Sequence, residues 1–388
     1  MKQLINEDIV YIGADDPNLD LFESQYTVPN GVAYNSYVVK GKDKTVIMDT
    51  IDARKTGEWL AKMEEALDGR TPDYLVVSHL EPDHAANIGL LAEKYPDMKI
   101  VGNATTFRML PNYFTIDGLE DRKVEVKEGD ELDLGGKHLK FVFAPMVHWP
   151  EVMMTYVPED KVLFSADGFG KFGTLDIQDE WEPEAARYYF NIVGKYGPQV
   201  QGVLKKAATL DIETICPLHG PVLKEDLGKY IGLYDKWSRY APDQDAILIA
   251  CACAYGGTFK ACEYLKDVLE NMGQNVILRD LTRQDVHQVM AEAFRCPKTV
   301  LASSTYNMGM FPAMERLLNT LKHKAWQKRT VAIVENGSWS PAAAKAIKAE
   351  LAEMKDITVI EPVVTIKGRM KEEDKAKLQA LAEQLVKA

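Results

Sequence analysis

From Ala246 onward the chain repeats one pattern, a short β-rich run followed by a helical stretch. The β-rich runs fall at 246–252, 275–279, 299–303, 330–335 and 357–361, and the helical stretches at 258–272, 285–294, 311–323, 341–354 and 372–387. Strands joined by crossover helices lie parallel, so this half predicts a doubly wound parallel sheet. A ligand on such a sheet sits beyond the C-terminal ends of its strands.

The first half reads differently. Apolar or alternating runs at 32–39, 44–49, 74–78, 99–101, 139–144, 152–157, 161–165 and 214–217 are mixed with helical periodicity at 56–67, 85–95 and 183–196. Turn signals at Pro29-Asn30-Gly31, Gly135-Gly136 and Pro158-Glu159-Asp160 predict hairpins between neighbouring strands. A mixed sheet with helices outside is expected. After an amphipathic stretch at 227–240, the polar connector Ala241-Pro242-Asp243-Gln244-Asp245 marks a boundary between domains 1–241 and 242–388.

The 58 Asp+Glu against 46 Lys+Arg give a formal charge of −12, which repels phosphate backbones and anionic lipid, so neither nucleic acid nor membrane is an expected partner. No apolar run approaches the ~20 residues of a spanning helix. The N-terminus lacks the apolar core of a signal peptide, and the five cysteines contain no C-x-x-C pair. A cytoplasmic protein with small, buried, unpaired cysteines is expected.

Residues 74–84, YLVVSHLEPDH, run from a buried-looking strand into His79, Glu81, Asp83 and His84. Pro82 disfavours helix at Glu81, so the ligand-type residues are expected on a loop. His148, Asp167 and His219 each follow a further strand-like run, where they can converge on one sheet edge. Four of the seven histidines belong to this set; His138, His287 and His323 are expected in solvated turn or helix settings.

In the second half the first strand runs into Cys253-Ala254-Tyr255-Gly256-Gly257-Thr258, a turn whose backbone N–H groups suit a phosphate at the start of a helix. The third and fourth strands run into Ser303-Ser304-Thr305-Tyr306-Asn307 and Asn336-Gly337-Ser338-Trp339. Each supplies small polar residues and one aromatic, suited to the edge and face of a planar ring. The arrangement resembles flavodoxin, which implies FMN at these three loops, although Cys253 stands where flavodoxin-like modules commonly have a hydroxyl residue. Gly168 to Gly173 also fits G-x-G-x-x-G, but no helix is expected to open there, so a dinucleotide site lacks its context.

HLEPDH with His148, Asp167 and His219 resembles the metallo-β-lactamase superfamily, whose αββα sandwich holds two metals through a histidine-rich loop and three distant ligands. Glu81 stands where the zinc hydrolases usually have a second histidine, and a carboxylate there suits iron or manganese better than zinc. By this resemblance one iron takes His79, Glu81 and His148, the other takes Asp83, His84 and His219, and Asp167 bridges them. No catalytic residue is expected beyond the metal ligands. Trp149 and Phe172 are candidates for lining a small gas-admitting pocket, with ordinary core packing as the alternative.

A metallo-β-lactamase-like diiron domain followed by a flavodoxin-like FMN domain is similar to the flavodiiron proteins, or A-type flavoproteins, in their minimal two-domain form. The resemblance implies an oxidoreductase that reduces dioxygen to water, nitric oxide to nitrous oxide, or both. Electrons would pass from a separate rubredoxin, or another low-potential donor such as reduced deazaflavin, through FMN to the irons. It also implies a head-to-tail homodimer, or a dimer of such dimers, that brings the FMN of one subunit to the irons of the other. Two alternatives remain: a zinc-dependent hydrolase of a thioester or phosphodiester with a regulatory flavodoxin-like half, and an electron-transfer flavoprotein whose metal site is structural.

Overall fold

A computed structural model describes residues 3–388, and contacts gather the chain into two compact units. The first runs through Tyr189 and adds Pro198–Asp235; the second is Phe190–Gly197 with Lys236–Ala388.

Two sheets form the centre of the first unit. One has seven strands in the order Gln3–Leu4, Ile9–Tyr11, Tyr37–Lys40, Thr45–Met48, Tyr74–Val76, Lys99–Gly102, Lys123–Glu125. It is antiparallel through Thr45–Met48 and parallel beyond. The other orders Glu131–Asp133, His138–Phe143, Met153–Val157, Val162–Phe164 and Thr214–Cys216, with only its last pair parallel. Tyr37, Val39, Val46, Met48, Val76 and Val101 pack against Phe141, Met153, Val157, Val162 and Phe164 in one apolar cluster. The alternate residues Val38, Ile47, Leu75 and Ile100 are buried too, so the outer face is also covered. Helix Thr56–Leu67 buries Trp59 and Met63 on its inner side. This is the metallo-β-lactamase-like αββα sandwich.

The run at 32–39 is interrupted rather than continuous. Val32–Tyr34 pairs with Ala14–Asp16 in a separate ribbon, and only Tyr37–Lys40 joins the main sheet. Asn35 explains the break, because its backbone N–H donates to Leu218 O at 2.8 Å instead of to a strand neighbour. Its Nδ2 donates to Pro217 O and Gly220 O, both at 2.8 Å. The hairpins expected at Gly135-Gly136 and Pro158 to Asp160 form, whereas Pro29 to Gly31 joins strands that pair elsewhere. The helical stretch at 183–196 ends early, as Trp181–Ile192 followed by a 3-10 turn at Gly194–Tyr196.

The second unit orders its strands Val276–Asp280, Ile247–Ala252, Lys298–Tyr306, Arg329–Asn336 and then the fifth position, all parallel. The order 2-1-3-4-5 is that of flavodoxin. Its fifth strand, expected at 357–361, comes in two pieces: Ile357–Val359 pairs with one end of Arg329–Asn336 and Val364–Ile366 with the other. Helices Gly257–Asn271 and Glu372–Lys387 close one face of the sheet over Ile249, Leu265, Val300 and Leu381.

His287 corrects an expectation. It is buried, not solvated, with Nδ1 3.1 Å from Asn191 Oδ1, because segment Phe190–Gly197 belongs to the same unit as its helix Val286–Arg295. His323 is exposed at the end of its helix, as expected, whereas His138 opens strand His138–Phe143, half-exposed against Glu159.

Candidate functional site

Strand Tyr74–Val76 delivers His79 and Glu81 in extended backbone, with Glu81 at φ −60° and ψ 138°. Pro82 then opens a short helix, Pro82–Ala85, that carries Asp83 and His84, so half of the expected loop is a helical turn. His148 follows strand His138–Phe143, Asp167 follows Val162–Phe164 and His219 follows Thr214–Cys216. His148, Asp167 and His219 thus gather at one edge of the five-stranded sheet, as expected, and the His79 to His84 segment reaches them from the end of a strand in the other sheet. Non-glycine residues with positive φ flank them: Met146 (64°), Ala166 (49°) and Phe169 (68°). Such backbone persists where surrounding contacts over-determine it, commonly at functional sites.

All seven residues come together in two groups, His79, Glu81, His148 and Asp167, and Asp83, His84 and His219. In the first, Glu81 Oε2 lies 3.1 Å from His79 Nε2 and 3.0 Å from His148 Nε2. Asp167 Oδ2 lies 3.3 Å from His79 Nε2 and 3.2 Å from His148 Nε2. In the second, Asp83 Oδ2 is 3.3 Å from the Nε2 atoms of both His84 and His219. Asp167 Oδ1 faces this group, 3.4 Å from His84 Nε2 and 3.8 Å from His219 Nε2. One carboxylate thus turns one oxygen to each group.

The donor set fits metal ions. Both oxygens of Asp83 and both of Asp167 are buried without a hydrogen-bond partner among the described residues, and a buried carboxylate needs a compensating cation. The Nε2 atoms of His84 and His219 approach to 3.0 Å, close enough to share a cation. Without metal, protons take that place. Burial opposes charge on Asp167, but the imidazoles of His79, His148 and His84 override it and hold the carboxyl well below its usual range. Burial likewise opposes charge on His148, yet the facing carboxylates of Asp167 and Glu81 raise it to about 9.

Residues outside the ligand set hold it in place. His79 Nδ1 donates to Glu151 Oε1 at 2.8 Å and His219 Nδ1 donates to Ala33 O at 2.8 Å, which leaves each Nε2 lone pair facing the centre. Asp49 Oδ1 accepts from Ser78 N at 2.6 Å, and burial pushes its carboxyl up to about 6. Gly220, beside His219, has φ +76°, and a Cβ there would lie 2.6 Å from Lys171 Cγ. Phe22, Tyr34 and Tyr188 ring His219 at centroid distances of 5.3, 6.0 and 5.4 Å. Phe172 is fully buried, edge-on to Phe22 and Tyr188 under the Arg187 guanidinium, so it packs as core. Trp149 is half-buried, with its ring edge-on to His79 at 5.1 Å.

The ODP family beta lactamase model matches residues 32–220. A nitric oxide reductase of Moorella thermoacetica is 29% identical over 380 residues, covering 95% of this chain and 94% of that protein. An anaerobic nitric oxide reductase flavorubredoxin of Vibrio vulnificus is 27% identical over 385 residues, 96% of this chain and 76% of its own. Among solved structures, the rubredoxin oxygen:oxidoreductase of Desulfovibrio gigas superposes with a TM-score of 0.92 at 25% identity, over 100% of this chain and 98% of that one. The flavodiiron protein of Giardia intestinalis gives 0.90 at 25% identity, over 100% and 96%. The chain is similar over its whole length to flavodiiron proteins.

The flavodoxin-like unit brings the three expected segments to one end of its sheet. Gly256, at φ 79°, starts helix Gly257–Asn271, and its N–H donates to Cys253 Sγ at 3.2 Å. Ala254 and Tyr255 stand exposed, and Thr258 is buried with Oγ1 3.0 Å from Ser304 Oγ. Residues Ser303 to Tyr306 belong to a strand instead of a loop; Asn307 and Met308 turn it into a hairpin with Gly309–Met310. Ser303 Oγ accepts from Phe311 N and Thr305 Oγ1 from Ala342 N, both at 3.0 Å. Ser338 is exposed, and Gly337 lies close to Thr305, its Cβ position 3.0 Å from Thr305 Oγ1.

The exposed aromatics Tyr255, Tyr306 and Trp339 (101%, 49% and 89%) offer faces on which a planar ring can stack. Asn336 departs from expectation: its side chain is committed to Gly368, in the turn after Val364–Ile366. Gly368 O in turn lies 2.9 Å from where a Cβ on Gly257 would sit. That fifth turn, Lys367-Gly368-Arg369, carries no flavin-loop signal in sequence. No helix turns out of Gly168 to Gly173.

Proposed function

We propose that this chain is a cytoplasmic flavodiiron oxidoreductase that reduces dioxygen to water, nitric oxide to nitrous oxide, or both. The observation that carries the reading is Asp167, whose two oxygens face two separate groups of imidazole and carboxylate ligands. In it, residues 1–241 form the metal domain, in which His79, Glu81 and His148 would hold one iron, Asp83, His84 and His219 the other, and Asp167 would serve both. Residues 242–388 form the FMN domain. Two irons and FMN, when bound, would supply the electron-transfer chemistry for gas reduction.

The chain's own part is to hold and to exclude. Glu81 adds a hard oxygen between two imidazoles, which favours iron over zinc. Phe22, Tyr34 and Tyr188 pack around His219 and keep bulk water from that side of the centre. At the other cofactor, the Cys253 to Thr258 turn offers backbone amides to the FMN phosphate, with Trp339 and Tyr306 at the ring.

A rubredoxin or another low-potential donor would supply electrons. The name of the Desulfovibrio gigas protein includes rubredoxin, and that supports this class of donor. A head-to-tail homodimer, or a dimer of dimers, completes the proposal; analytical ultracentrifugation of the active protein tests it. The central test is metal and flavin content after anaerobic purification from cells given iron and zinc, followed by gas uptake under a reductant. About two irons and one FMN per chain with gas consumption support the reading. Two zincs and hydrolysis without reductant would replace it with the zinc hydrolase.

A further inference from the structure

Glu151 is a fully buried carboxylate that the ligand set does not include. Its Oε1 accepts from His79 Nδ1 at 2.8 Å and from Leu80 N at 2.9 Å. Its backbone carbonyl accepts from Asn103 Nδ2 at 2.7 Å. The amide oxygen of Asn103 in turn caps helix Ala104–Met109 by accepting from Thr105 N and Thr106 N. Glu151 is therefore held at both ends, and the ring of His79 is held by Glu151.

The two imidazoles of the other group are supported differently. His219 Nδ1 meets a neutral carbonyl, that of Ala33. His84 Nδ1 is buried without a hydrogen-bond partner among the described residues. A carboxylate behind an imidazole fixes its tautomer and raises its basicity toward a metal more than a carbonyl does, and a missing partner does neither.

We propose that Glu151 is a positioning residue that fixes His79 with Nε2 toward the metal and makes the His79–Glu81–His148 position the more tightly held of the two. The inference rests on the diiron reading above. It goes further by ranking the two positions and naming the side chain responsible.

The test is chelator-driven metal release from the anaerobically purified holoprotein, read with 57Fe Mössbauer spectra. Wild type should release iron in two phases, with the doublet of the tighter site persisting longer. Glu151→Ala should accelerate the slow phase about 10–100-fold, leave the fast phase unchanged and retain FMN. Glu151→Gln keeps an oxygen for His79 Nδ1 and Leu80 N but loses the charge, so it should shift the same doublet and accelerate the same phase by less. Equal acceleration of both phases in the Gln variant would mark Glu151 as merely structural and overturn the inference, as would no change in either. A wild-type chain that takes up no second metal would overturn the diiron reading itself, and the ranking with it.

Discussion

Asn336 and Gly368 hold each other by a reciprocal pair of hydrogen bonds, Nδ2 to the glycine carbonyl at 2.7 Å and the glycine N–H to Oδ1 at 2.9 Å. The pair pins the fifth turn against Gly257, at the start of the proposed phosphate loop. Two such bonds contribute about 0.5–1.5 kcal/mol each. Asn336→Ala should therefore weaken FMN binding roughly tenfold, about 1.4 kcal/mol, by loosening the cradle. Fluorescence titration of the FMN-depleted protein measures this, and iron content should not change.

Trp339 stands almost fully exposed, which is expected of a ring that waits for a stacking partner. Trp339→Ala should cost about 0.5–1.5 kcal/mol of FMN affinity and leave the metals in place. Flavin held as tightly as in wild type would remove this residue from the flavin site.

Asp167 is the one carboxylate shared between both ligand groups. Asp167→Ala should lower iron content and abolish gas reduction while FMN stays bound. Elemental analysis beside the flavin absorbance separates the two cofactors in one sample. Full metal content in the variant would show that the two groups do not depend on this bridge.

The metal-free protein should lose stability as the solution becomes alkaline. His148 sits at about 9, above the ordinary imidazole value of about 6.5, because Asp167 and Glu81 override its burial. A raised imidazole contributes stability that is complete below about pH 6.5 and lost as pH rises through about 9. His79 and His84 are shifted in the same direction. Melting temperatures of chelated protein should therefore fall between about pH 6.5 and 9, whereas metal uptake, which releases those protons, should strengthen over the same range. Calorimetry across that window, with and without iron, reads both; a flat profile in the metal-free protein would contradict the charged pairing.

Much of the fold was legible because its signals are local. Each βα unit of the second half announces its strand and helix within a few residues, whereas the order 2-1-3-4-5 was implied only by the resemblance to flavodoxin. The ligand-type residues were legible for a related reason: each stands just beyond an apolar run, where a strand ends and polar chemistry begins. Glu151 was missed although it lies three residues beyond His148, since nothing local distinguishes a buried carboxylate from a solvated one. His287 was misread because its burial depends on segment Phe190–Gly197, distant in sequence but part of the same unit.

By itself, then, the sequence determined the residue types at the strand ends and the alternation that makes both sheets, because side-chain chemistry and backbone period act over a few residues. Only the tertiary structure decided which atoms meet. His84 and His219 are 135 residues apart, yet their Nε2 atoms come within 3.0 Å; Glu81 and His148, 67 apart, meet at the same distance. Two sheets had to pack face to face before Asp167 could turn one oxygen to each group. That packing is a property of the whole apolar core, and no stretch of the chain states it alone.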